Sequence, residues 1–145
     1  MKPIRNLTLV AVAIAAAACV RMDREPAAPV HDVWVTAADS GASTPAHLTF
    51  VNHDSISVKI VSWSSPDAQS VEWHMTMNSG GTTTMMPLTS PAEVLPGDSL
   101  LLVPGAQHLM VTGLKHRAAV GDSITLVIAT DRGRSWRFGA KVRAP

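Results

Sequence analysis

From Asp32 onward, apolar and polar residues alternate in short runs. Gly, Pro, Asn, Asp and Ser break these runs about every 8–12 residues. The alternation predicts strands near 32–37, 46–52, 57–63, 70–77, 82–88, 99–103, 108–112, 123–130 and 135–142. Turn chemistry lies between them, as in Asp39-Ser40-Gly41, Asn78-Ser79-Gly80-Gly81, Pro96-Gly97-Asp98, Pro104-Gly105 and Asp131-Arg132-Gly133. A side-chain period of two with such turns predicts an all-β antiparallel sandwich of about nine strands. No longer window carries a helical period. Trp34, Phe50, Trp63 and Trp73 lie on predicted strands and are expected in the core, and Trp136 and Phe138 share one face of the last strand.

The first nineteen residues follow another pattern. Lys2 and Arg5 precede an apolar run from Leu7 to Ala18, too short to span a bilayer and followed by no stop-transfer pattern. The run ends Ala16-Ala17-Ala18-Cys19. This resembles a bacterial lipobox, with Ala16 where Leu is usual, and implies a lipidated Cys19 as the mature N-terminus. An ordinary secretory peptide cleaved near Ala18 is the alternative, and both readings export the protein. The organisation expected is a lipoprotein signal over 1–19, a flexible tether over 20–30 and one β domain over 31–145. The domain faces the periplasmic side of a bacterial envelope and meets the membrane only through the lipid on Cys19.

Composition narrows the function. Cys19 is the only cysteine, so the domain has no disulfide to form and no thiolate for a metal. A blue-copper electron-transfer site needs a Cys sulfur and is excluded. Without Lys2 and Arg5, ten basic side chains face eleven acidic ones, which gives no electrostatic case for binding nucleic acid. No Gly-x-Ser-x-Gly elbow, paired carboxylate set or phosphate loop occurs, and the chain reads as a non-enzyme.

Chemistry gathers instead at His74, Met85-Met86 and His108-Leu109-Met110. Thioether sulfur is a soft, neutral donor that suits Cu(I), and imidazole binds copper well. Strand parity puts His108 and Met110 on one face, with Leu109 and Val111 on the other. His74 shares a face with Glu72 and Thr76, whereas Met75 and Met77 share the other with Trp73. Glu72 is placed to orient the His74 imidazole. Met85 and Met86 point to opposite faces of a regular strand, so only one can join the site. Two other readings stand beside this one: methionines that fill gaps in the core, and haem ligation, which lacks a C-x-x-C-H motif.

The spacing resembles the His-x₁₀-Met-x₂₁-His-x-Met signature of the PCu(A)C family of periplasmic copper chaperones. With ten residues between them, Met85 follows His74, and with twenty-one residues between them, Met86 precedes His108. The Met85-Met86-Pro87 context favours Met85. Val33-Trp34-Val35, Ala46 to Asn52, Ser64-Ser65-Pro66, Val71 to His74, Pro104 to Lys115 and Gly121 to Ile124 are similar to further stretches of that family. The resemblance implies a cupredoxin-like Greek-key β-sandwich or barrel and one Cu(I) site. It also implies copper supply to the CuA centre of cytochrome c oxidase, with an oxidase subunit or a thioredoxin-like copper protein as partner to a monomer. The chain ends Lys141-Val142-Arg143-Ala144-Pro145 without a His-rich tail, in keeping with one site. A copper-buffering protein without a dedicated acceptor and a metal-free interaction module are the rival readings.

Overall fold

In the computed structural model, residues 29–89 and 91–145 are described. The signal, Cys19 and the tether up to residue 28 lie outside them. Ten strands form: β1 Val30–Thr36, β2 Thr44–Val51, β3 Val58–Ser64, β4 Ala68–Ser79 and β5 Thr82–Pro87, followed by β6 Ala92–Val94, β7 Ser99–Leu102, β8 Gln107–Leu114, β9 Ser123–Thr130 and β10 Ser135–Arg143. Nine match the alternating runs. The tenth, β6, has only three residues between Pro91 and Pro96, too short to show a period. β1 starts at Val30, earlier than expected, because Pro29 and Val30 already pair with β2: the Val51 N–H donates to the Pro29 carbonyl.

The strands run β5-β4-β8-β2-β1-β10-β9-β3-β6 in one mixed sheet, with β7 against β2. The sheet does not close. All pairings are antiparallel except β1 with β10. β2 changes partner along its length. Thr44 to Ala46 pair with β8, and Leu48 to Val51 pair with β7.

The rolled sheet encloses one core. Val35, Leu48, Phe50, Ile60, Leu102, Leu109, Val111, Leu126 and Ile128 are almost fully buried. Each sits at one parity of its strand, as a half-buried sheet requires. Trp136 meets Phe50 edge-on at 5.6 Å, and Trp63, Trp73 and Phe138 pack against the core's margin. Trp34 departs from expectation. It alternates with buried Val35 and so lies on the outer face.

One backbone constraint shapes the strand that carries His108 and Met110. Gly113 has φ +66°, and an added Cβ would stand 2.6 Å from the Gln69 side chain. Gly113→Ala is therefore expected to cost more than about 1 kcal/mol. Adding Gln69→Ala should recover the steric part but not the backbone part. Urea unfolding midpoints check this, and equal midpoints for Gly113→Ala and wild type would contradict it.

Candidate metal centre

β4 and β8 pair so that His74 stands directly opposite His108. Directly opposed residues share a face. Their ring centroids are 5.9 Å apart at 57°. A metal–imidazole bond of about 2 Å on each side allows a centroid separation of roughly 6 Å around a shared ion. The pair is thus spaced to hold one ion.

The hydrogen bonds fix which nitrogen is free. His74 Nε2 lies 2.9 Å from Glu72 Oε2, and an ionised carboxylate only accepts. Nε2 is therefore the donor, and in the neutral imidazole the lone pair falls on Nδ1. His74 Nδ1 is buried without a hydrogen-bond partner. His108 is turned the other way. Its Nδ1 faces the Ala106 carbonyl at 3.4 Å, which leaves Nε2 bare, and that atom too is buried and unpaired. Stranding a buried polar atom costs about 1–3 kcal/mol. A carboxylate or carbonyl on one ring nitrogen, with the lone pair of the other left unpaired, is how metal-ligating imidazoles are held.

The register also sorts the methionines. Met110 is opposite Glu72 and so joins the histidine face, half-buried. Met85 is opposite Thr76 and reaches the same face. It stands one strand farther out, on the sheet edge, and is 54% exposed. Met86 is opposite Met75 and points to the other face. His74, His108 and Met110 thus form a compact set. Met85 flanks His74 on the diagonal opposite Met110, so it meets the same ion only if the β4–β5 hairpin curls over the face.

His47 lies beside this set and went unread in the sequence. Pairing of Pro45 with Met110 and of Ala46 with Leu109 carries it next to His108, with centroids 6.3 Å apart. Its other neighbour is Trp34 at 4.3 Å, covered in turn by the Arg143 guanidinium at 5.0 Å. His47 Nδ1 is a third buried, unpaired ring nitrogen. Burial first, and then electrostatic repulsion between its protonated form and a protonated His108, hold its pKa below the usual 6.5, against an opposing hydrogen bond with the Leu102 backbone. The alternation Ala46-His47-Leu48 already put it on the outer face. What the sequence lacked was the pairing of β2 with β8. The three imidazoles form a row, not a cage. Among the described residues no three His, Cys, Asp or Glu side chains are grouped to hold a metal, so an ion here would draw on thioethers. His31, His53 and His116 are exposed.

The fold and this site define a cupredoxin-like β domain with a His/Met face. The chain belongs to the LpqE-like family, described as "Putative lipoprotein LpqE-like", whose model matches residues 29–142. A relative in Leifsonia xyli subsp. xyli, "Putative lipoprotein Lxx21020", is 33% identical over 104 residues. That match takes in 72% of this chain, and the chain spans 62% of the relative's length. Among solved structures, the copper-bound PCuAC domain from PmoF2 superposes with a TM-score of 0.65 at 17% identity, over 80% of this chain and 92% of that one. The Cu(I) form of DR1885 from Deinococcus radiodurans gives 0.59 at 26% identity, over 79% and 78%. The fold is that of PCuAC domains.

Two tests follow from the site geometry. Glu72→Gln leaves the His74 nitrogen without its carboxylate and is expected to weaken soft-metal binding about 10–100-fold. A chelator competition titration reads this, and unchanged affinity would remove Glu72 from the site. Second, His47 resists protonation in the fold but titrates near 6.5 when unfolded. Its contribution to stability is fully present above that pH and is lost as the pH falls below it. The metal-free protein is therefore expected to melt progressively lower between about pH 7 and 5, and His47→Gln should flatten that slope. An equal slope in the variant would contradict the assignment.

Proposed function

We propose that this protein is an envelope copper chaperone that carries Cu(I) on the His/Met face. The observation that carries this reading is the facing pair His74 and His108, each with one ring nitrogen engaged in a hydrogen bond and the other buried without a partner. Met110 adds a thioether from the same face, and the donor set is soft and neutral, which suits Cu(I) over harder ions. His74, His108 and Met110 make the fixed part of the site. Met85, exposed on the edge strand, is the outlying fourth ligand and the one exchanged for a donor of the acceptor. Met86 stands on the wrong face for this ion. The likeness to copper-bound PCuAC domains and to DR1885 with Cu(I) supports the same cargo. Binding and release of an ion require no covalent chemistry, and the protein acts as a carrier, not an enzyme.

The lipobox-like Ala16-Ala17-Ala18-Cys19 and membership of a family described as lipoprotein support export and anchoring through Cys19. The acceptor is the CuA centre of cytochrome c oxidase, reached directly or through a thioredoxin-like copper protein. Several surface cations are engaged internally: Arg117 with Asp39, Arg134 with Asp54, and Arg143 over Trp34.

Anaerobic Cu(I) competition in the chain carrying Cys19→Ser, where no thiol is present, tests the site. His108→Ala and Met110→Leu are each expected to lower affinity at least about 10-fold, more than Met85→Leu does. Retention of wild-type affinity in both His108→Ala and Met110→Leu would overturn the site. A deletion strain separates delivery from buffering. Lost oxidase activity in low copper supports delivery, whereas copper sensitivity with normal oxidase identifies buffering.

A further inference from the structure

The β4–β5 hairpin has a second face. Met75 lies directly opposite Met86 there, and Met77 follows two residues along β4, opposite Thr84. Side chains opposed in this way have Cβ atoms about 4.5–5.5 Å apart, with diagonal neighbours about 7–8 Å apart. The step along the strand is roughly 7 Å. Three flexible thioethers thus stand at the corners of a small triangle, each able to reach its centre. The triangle is tighter than the Met85–Met110 spacing on the front face. Met77 is 46% and Met86 48% exposed, so neither is spent filling the core. Trp73 borders the group on the same face, its Nε1–H donating to Gln107 Oε1 at 3.2 Å. That bond fixes the indole beside Met75, where an aromatic face favours a cation.

Packing does not account for this triplet. Strands favour Thr where a face meets solvent, and Thr82, Thr83 and Thr84 on β5 fit that preference. Two exposed thioethers and half-buried Met75 instead bring together neutral, soft donors, with only the neutral Thr84 hydroxyl and Gln107 amide beside them and no charged ligand. Such a set selects a monovalent soft ion and rejects Mg²⁺, Ca²⁺ and Zn²⁺. We infer that Met75, Met77 and Met86 form a second Cu(I) site, all-thioether, on the back of the hairpin whose front carries His74 and Met85. The expectation of one site rested on the missing His-rich tail, and this site uses no histidine. It gives Met86 a role that the front face denies it. The two sites share no ligand, so each is expected to survive loss of the other.

The test is an anaerobic Cu(I) titration of the chain carrying Cys19→Ser, followed by the ¹³C-methyl resonances of its methionines. Wild type is expected to bind two equivalents. One should move Met110 and Met85, and the other Met75, Met77 and Met86. The variant Met75→Leu/Met77→Leu/Met86→Leu keeps the apolar bulk. It should bind one equivalent, still on the front face. His74→Ala/His108→Ala should keep the back-face equivalent. A second equivalent that persists in the triple-Leu variant, or a wild type that binds one equivalent without moving Met75, Met77 and Met86, would overturn the inference. A wild type that moves only those three would uphold it and count against the front-face reading.

Discussion

The register between β4 and β8 is the constraint on which the His/Met face depends. It sets His74 against His108 and Glu72 against Met110. A slip of one residue would turn the whole outer set of one strand into the core and the core set outward. Leu109 and Val111 hold the register from beneath. They are almost wholly buried, so the slip would expose both and bury Met110 in their place. Tens of square ångströms of apolar surface per residue oppose it, at about 25 cal/mol for each. The binding face is thus positioned by the hydrophobic face behind it.

That dependence explains how much could be read in advance. Nine strands were legible because each shows a period of two between turn residues, and β6 was not, because three residues carry no period. His108 and Met110 on one face, and Trp73 opposite His74, followed from parity alone. Parity within a strand says nothing about which strand lies alongside. The neighbours β4, β8 and β2 are distant in sequence, so the row His74–His108–His47 became visible only in the fold. Trp34 shows the same limit. A tryptophan on a strand suggests core, yet this one covers His47 on the outside, under Arg143. The choice between Met85 and Met86 needed the β4–β5 register, which the Asn78-to-Gly81 turn sets but does not announce.

The histidine face is also costly to keep. Three buried ring nitrogens lack hydrogen-bond partners, two of them on the facing pair. Each offsets stability that the core must supply. The unmet lone pairs are concentrated in one place, on neighbouring strands of the same face. The same atoms would strengthen the fold as ligands, since an ion bound only by the native state stabilises that state by mass action.

The open sheet has a further consequence. Its free edges are unequal. β6 has three residues between prolines, and β7 has four, followed closely by Pro104. β5 has six, all exposed, without a single charge, and its proline comes only at the last position. Unpaired backbone groups on such a strand invite another strand to add. A strand that added to this edge would lie beside Met85 and Met86, so adhesion would cover both thioethers of one short segment of chain.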